Sequence, residues 1–204
     1  MPKFSRALRA HKSEKVEIDQ YGFIYHINKD NLIKFNLKGV PLYNYSNKLL
    51  GNITQLDISN PLRPLLFYKD QGIILALDNT LSLQKSEISL NELALYQTSC
   101  ISNSNFDNGI WLYDIDVNEI VKINHQAEVV FKSGNLSVIL PNMQFPVLKL
   151  FEKNKKLYVV LLLFIPQVVF WFFFFFLFII FIFIFLNTFI FINYIATTSL
   201  TSGK

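Results

Sequence analysis

Three histidines and a pair of closely spaced acids are the residues of this chain that could do chemistry. His11, His26 and His125 lie far apart, in a basic terminus, an apolar segment and a polar turn, and this spacing matches no paired-histidine metal motif. Asp114 and Asp116 alternate as in a calcium-binding loop, but the glycine and final glutamate of such a loop are missing. We therefore expect a packed or rim histidine at His26, a solvated one at His125 and a structural turn around the two acids.

The remaining candidates also favour structural roles. Cys100 is the single cysteine, and because no basic neighbour would lower its pKa, we expect a buried, inert thiol. Asp57 and Asp70 are expected to be turn or cap acids, and neither a glycine-rich phosphate loop nor a nucleophile elbow is present. The sequence thus predicts no catalytic, cofactor-binding or metal-binding residue and no cofactor. Five aromatic residues could line the rim of a ligand site or pack in a core: Tyr43, Tyr45, Tyr68, Trp111 and Tyr113.

Short β-strands must position these side chains. Segments rich in β-branched and aromatic residues alternate with polar turns, first over residues 16–45, then from 65 and again from 110. Pro41 favours an edge position for the last strand of the first group, because proline cannot donate a ladder hydrogen bond. The turn residues Asn36, Asp78 and Asn124 recur at intervals of roughly 40–46 residues, the period typical of four-stranded propeller blades.

The pattern predicts an all-β fold, a partial β-propeller-like array of four-stranded meanders. A plain antiparallel sandwich with evenly spaced strands is the alternative. Rings of about 4–8 blades are typical, so some three blades and the start of a fourth would leave an open ring. If residues 23–25 and 110–112 form the inner strands, their apolar character favours a binding module over an enzyme with its site at the central channel.

Five stretches of this array carry a family resemblance: residues 46–53, 56–62, 66–70, 77–82 and 108–114. Together they resemble a family of uncharacterised β-propeller proteins from Bacteroidota. The resemblance covers about residues 17–159, and its most specific part ends in Phe67-Tyr68-Lys69-Asp70. It implies an exported propeller at the cell envelope, with a signal peptide and further blades on both sides, and no particular activity. This chain differs from that pattern at both ends.

An uncharged apolar run follows the array, and its central part, residues 168–192, is long enough to span a bilayer as a helix. The lysines at 153, 155 and 156 precede this run and favour a cytoplasmic side for the β-domain, in conflict with an exported family. Because its residues have A/T-rich codons, the run is equally what a shifted reading frame would produce. We predict four regions: a basic disordered terminus (1–15), the blades (16–159), a hydrophobic membrane segment (160–196) and a polar tail (197–204).

We therefore expect a non-catalytic propeller-type binding or interaction protein held at a membrane. Its expected partners are the lipid bilayer, through residues 168–192, and a protein bound by the β-domain. The basic clusters are not interleaved with aromatic residues, so nucleic-acid binding is not expected. Two alternatives stay open: a truncated or frameshifted fragment of a larger exported propeller, and a propeller-type hydrolase or lyase that lacks part of its site.

Overall fold

A computed structural model describes residues 14–85, 87–141 and 147–161, all of which belong to one compact unit, Met1–Leu162. The strands form three four-stranded antiparallel sheets and one two-stranded sheet, each in chain order. We call these sheets blades 1 to 4. Blade 1 contains β1 (Glu14–Ile18), β2 (Ile24–Asn28), β3 (Asn31–Phe35) and β4 (Pro41–Ser46).

The next three sheets repeat this order. A 3₁₀ turn, Lys69–Gln71, joins the middle strands of blade 2, and a short helix α1, Leu136–Ile139, follows blade 3. Blade 4 consists of β13 (Val147–Lys153) and β14 (Lys156–Leu161). Blade 2 contains β5 (Gln55–Asp57), β6 (Leu65–Tyr68), β7 (Ile73–Ala76) and β8 (Ile88–Ser89), and blade 3 contains β9 (Thr98–Asn103), β10 (Ile110–Asp114), β11 (Glu119–Ile123) and β12 (Val129–Lys132).

The turn after the third strand of each complete blade has the same construction. Asn36, Asp78 and Asn124 each accept hydrogen bonds from the backbone N–H groups two and four residues later, at 2.8–3.0 Å. Such side chains replace backbone partners and so fix the turn locally. The predicted period of the turn residues therefore corresponds to one blade.

Apolar layers between successive blades hold the array together. Every residue of β6 is buried, because blade 2 packs on both sides, whereas β2 alternates between buried and half-buried residues. Three clusters fill the interfaces, with Tyr25 and Leu66 between blades 1 and 2, Phe67 and Leu112 between blades 2 and 3, and Tyr113 between blades 3 and 4. Each fully buried side chain of this size contributes roughly 1.5–3 kcal/mol.

The predicted propeller-like array of four-stranded antiparallel sheets is confirmed, and β4 with Pro41 lies at the outer end of its sheet. The assignment of residues 23–25 and 110–112 to inner strands is wrong: they belong to the second strands β2 and β10 or the turn before β2, and β1 and β9 are the first. The predicted membrane segment, 168–192, lies outside the described residues. Within those residues, no helix is long and apolar enough to cross a membrane.

Candidate functional site

The first strands of the four blades lie next to one another and form the inner side of the array. Strands β5 and β13 both contact β9, and residues of β1, β5 and β13 line one groove of about 350 Å³. In a propeller the first strands surround the central channel, which is a common place for a ligand. The groove brings together five side chains from three blades: Glu17, Gln55, Asp57, Lys149 and Phe151.

Glu17 is the most perturbed acid of the groove. Its burial raises the pKa of the carboxyl group above the ordinary value, the positive charge of Lys149 lowers it, and the negative charge of Asp57 raises it. The net shift is upward, because removing a carboxylate from water disfavours its charged form. Glu17 of β1 and Lys149 of β13 both line the groove, so these two strands face each other across it.

Asp57 and Gln55 have their polar atoms engaged between blades 2 and 3. One carboxylate oxygen of Asp57 accepts the N–H of Ser59 at 2.8 Å, and the other accepts the N–H of Asn103 at 2.6 Å. The side-chain amide of Gln55 donates to the carbonyl of Ile101 at 2.7 Å and accepts its N–H at 3.0 Å. These two side chains fix the groove wall. Asp19, which also lines the groove, accepts the N–H groups of Tyr21 and Phe23 and the Tyr25 hydroxyl, so Glu17 and Lys149 are the remaining charges of the lining.

Behind this wall, Arg63 connects the same two blades. Its Nη1 atom donates to the Asn103 side chain at 3.1 Å and to the Gly109 carbonyl at 3.4 Å, and Asn103 donates back to the Arg63 carbonyl at 3.2 Å. Burial lowers the pKa of Arg63, while Asp107 and Asp57 oppose that shift. The guanidinium stays charged under all ordinary conditions, so it serves as a fixed support for the wall.

Phe151 contributes an aromatic ring to the lining of the groove. It stacks on Tyr158 with 5.0 Å between ring centroids and 6° between planes. Lys149, two residues earlier on the same strand, is exposed. Besides the carboxylates already engaged in hydrogen bonds, the groove thus offers Lys149, Glu17 and an apolar ring, an arrangement that suits binding of a ligand with both charged and apolar parts.

The residues singled out from sequence do not meet in one place. His26 lies half-buried in β2 and His125 is exposed in a turn, while His11 falls outside the described residues. Asp114 accepts the N–H of Asp116 at 3.0 Å, as expected for a structural turn. The described residues contain no group of three or more histidine, cysteine or acidic side chains placed to hold a metal ion.

Cys100 is buried, as expected, and burial raises the pKa of its thiol. Asp70 is exposed in the 3₁₀ turn. The groove acid Asp57, expected to be a turn acid, does hold the turn at Ser59 but also crosses to the next blade.

The five aromatic residues do not form a ligand rim. Tyr68 and Tyr113 are buried in separate cores, and Trp111 is half-buried and packs edge-on against Phe131, with 5.8 Å between ring centroids. Tyr43 and Tyr45 lie on the same face of the outer strand β4, where Tyr45 packs against the core between blades 1 and 2 and Tyr43 is exposed. Core packing therefore explains most of this set.

Sequence reasoning missed Glu17, Gln55 and Lys149 because it assigned the inner position to the most apolar strands. A usable signal was present in β5, which reads Gln-Leu-Asp. Alternation along a strand places residues 55 and 57 on one face and Leu56 on the other. A strand with one polar and one apolar face fits the channel side of a blade better than a uniformly apolar one.

A larger cleft of about 590 Å³ opens between blades 2 and 3, lined among others by Arg63, Lys85, Asp107 and His125. Two of its charged side chains are already engaged: Asp107 contacts Lys122 at 2.7 Å, and Arg63 bonds to the Gly109 carbonyl and to Asn103.

Comparison with solved structures gives propeller-like folds. Virginiamycin B lyase from Staphylococcus aureus, as the catalytically inactive H270A variant with quinupristin, superposes with a TM-score of 0.53 at 14% identity, over 75% of this chain and 50% of the lyase. A streptogramin B lyase gives 0.52 at 20% identity over the same shares. The WD40 repeats of RRP9 give 0.51 at 14% identity, over 71% of this chain and 43% of that chain.

These similarities show the fold, and the chain spans about half the length of the lyases it matches. No family model matches the sequence, and the comparison with curated proteins gives no significant match.

Proposed function

We propose that the protein is a non-catalytic propeller-type binding module whose ligand site is the groove along the first strands. One observation carries this proposal: Glu17 from blade 1 and Lys149 from blade 4, which carry opposite charges, converge on one groove with Phe151 beside them. Surfaces with complementary charges select a partner and fix its orientation. The ligand class that fits is a peptide segment with one basic and one acidic group and an apolar side chain.

An array of immobilised peptides that vary in charge pattern tests this proposal on the full-length chain. The unmodified protein is expected to retain peptides that carry both charges. Lys149→Glu should lose preference for acidic positions, and Glu17→Gln should lose preference for basic ones. Lys38→Glu, at an exposed turn of blade 1 outside the groove, is the matched control and should behave as the unmodified chain. Identical peptide profiles for all four proteins would contradict the proposal.

A propeller-type lyase or hydrolase is the second candidate, supported by the raised pKa of Glu17 beside a lysine in a groove. Substitution of one histidine inactivates the Staphylococcus lyase, whereas no histidine is among the described residues that line this groove. Incubation of the full-length chain with quinupristin separates the two candidates. Turnover that Glu17→Gln abolishes would replace the binding proposal with the enzymatic one.

Membrane attachment through residues 168–192 and a place at the cell envelope belong to the same proposal. They are supported by the uncharged apolar run and by the resemblance to exported Bacteroidota propellers. Flotation of the full-length chain with liposomes, compared with a variant that carries two arginines in that run, tests the attachment. The alternative of a frameshifted fragment of a larger propeller is tested by sequencing the coding DNA from about codon 140 onward and reading all three frames.

A further inference from the structure

A small slot between blades 1 and 2 is lined by exposed apolar side chains. Its volume is about 190 Å³, and residues of both blades line it. Tyr21 and Tyr43 from blade 1 are 60% and 43% exposed, and Leu62 from blade 2 is 63% exposed. Exposed apolar side chains that lie together mark a binding site more often than single ones do. Of the described residues that line the slot, only Asp19 is shared with the groove along the first strands.

Lys34 contributes a buried ammonium group to the slot. The side chain is 4% exposed, donates a hydrogen bond to the Asn79 carbonyl at 2.9 Å and lies 4.6 Å from the centre of the Phe23 ring. An ammonium group has three N–H donors, and within the described part of the chain Lys34 has no second hydrogen-bond acceptor. Two donors are therefore left for a group that enters the slot.

Blade 3 contains the same arrangement, but there the charge of the lysine is paired. In each of the two blades one lysine lies between aromatic residues of the neighbouring strands: Tyr25, Lys34 and Tyr43 in blade 1, and Trp111, Lys122 and Phe131 in blade 3. Lys122 contacts the Asp107 carboxylate at 2.7 Å. The acid in the corresponding turn of blade 1, Asp19, instead accepts hydrogen bonds from two backbone N–H groups and the Tyr25 hydroxyl. Among the described residues Lys34 therefore has no equivalent of this ion pair, although buried charges are ordinarily paired.

The charges around Lys34 decide which chemical group its free donors suit. Burial lowers the pKa of Lys34, while the negative charges of Asp19 and Asp78 oppose that shift. These two acids offset the positive charge, so a further carboxylate would be repelled, and the ammonium group itself would repel a cationic ligand. A neutral carbonyl oxygen accepts hydrogen bonds from the free N–H groups without either repulsion.

We propose that the slot binds a neutral ring that carries a carbonyl group, with the carbonyl oxygen bonded to Lys34 and the ring packed against Tyr21, Tyr43 and Leu62. An apolar cavity of about 150 Å³ accepts one benzene molecule, so a slot of about 190 Å³ has room for a ring and a small substituent. Aromatic rings pack on tyrosine in offset-stacked or edge-to-face arrangements. A free aromatic amide and a ring-bearing residue of a peptide both have this chemistry.

Saturation-transfer NMR with four benzene derivatives tests the proposal on the full-length chain. Benzamide presents a neutral carbonyl, benzoate a carboxylate, protonated benzylamine an ammonium group, and toluene no acceptor. We expect benzamide to bind with the lowest Kd of the four and benzylamine with the highest. Tighter binding of benzoate than of benzamide, or equal binding of benzamide and toluene, would overturn the proposal. Failure of all four to bind, as when another part of the chain fills the slot, would overturn it as well.

Two variants show whether the binding takes place in this slot. Lys34→Met removes the donors and retains an unbranched side chain that packs in irregular spaces, so the Kd of benzamide should rise about tenfold while that of toluene stays unchanged. Tyr21→Ala should weaken both ligands. The matched controls are Lys48→Met, at an exposed residue, and Tyr96→Ala, at a residue as exposed as Tyr21; both should bind as the unmodified chain does. An unchanged Kd of benzamide in Lys34→Met and Tyr21→Ala would contradict the assignment.

Competition of N-acetylphenylalaninamide with benzamide distinguishes the two sources of the ligand. A lower Kd than that of benzamide assigns the slot to a residue of a peptide, and a higher one assigns it to a small aromatic amide. Glu17 and Lys149 are unchanged in all of these variants, so this test and the peptide array for the groove can fail independently.

Discussion

The bond between Gln55 and Ile101 should be one of the most sensitive points of the array. β9 lies at the end of its sheet, so the backbone groups of Ile101 that point away from β10 have no strand partner. The side-chain amide of Gln55 takes the place of a peptide group and satisfies both of them, at 2.7 and 3.0 Å. Each such bond contributes about 1 kcal/mol net, and an unsatisfied buried group costs more.

Replacing Gln55 by methionine keeps the volume of the side chain and removes both bonds. We expect the free energy of unfolding to fall by about 2 kcal/mol and the Ile101 amide hydrogen to lose its protection from exchange. Gln20→Met, at an exposed turn residue, is the control and should change stability by less than about 0.5 kcal/mol. Urea denaturation and hydrogen exchange measure the two effects. A loss below about 0.5 kcal/mol with Ile101 still protected would refute the reasoning.

Three further substitutions test other contacts. Trp111→Phe removes the 2.7 Å bond from the indole N–H to buried Glu152 and should cost about 1–3 kcal/mol in urea denaturation; an unchanged midpoint would contradict this. Hydrogen bonds from its turn, first that from the Thr80 side chain, lower the pKa of Asp78. The ionised Asp78 side chain therefore stabilises the fold at pH values above its pKa in the unfolded chain, and this stabilisation is lost as the pH falls below about 4. Asp78→Asn should weaken that acid sensitivity, and an identical pH profile would count against it. Ala127 has a φ of 64° where the equivalent turn of blade 1 has Gly39, so Ala127→Gly should raise stability by up to about 1 kcal/mol; lower thermal stability would show that strain is absent.

Local features of the fold could be predicted from sequence because local physics determines them. Asn36, Asp78 and Asn124 fix their turns with their own side chains and backbone neighbours, so their spacing was visible before any contact between blades was known. Pro41 likewise indicated the edge strand through its missing N–H.

Which strand of a blade lies innermost depends on contacts between residues far apart in the sequence. The apolar content of single strands therefore led to the wrong prediction of the innermost strand. β6, β7 and most of β10 are apolar because these strands lie in the middle of their blades. Lys34 shows the same limit. It is only 4% exposed, donates to the Asn79 carbonyl at 2.9 Å and lies 4.6 Å from the centre of the Phe23 ring. The sequence of β3 alone does not indicate that a backbone carbonyl of blade 2 accepts the hydrogen bond from Lys34.

The titration of Glu17 tests the central claim, that β1 and β13 face each other across one groove. We would follow its carboxyl carbon by NMR in the full-length chain with ¹³C-labelled glutamate, assigned with Glu17→Gln. The predicted result is a pKa above the ordinary glutamate value that rises further in Lys149→Gln, because the lysine charge favours the ionised form. An ordinary pKa that does not respond to Lys149→Gln would contradict the groove and the binding function assigned to it.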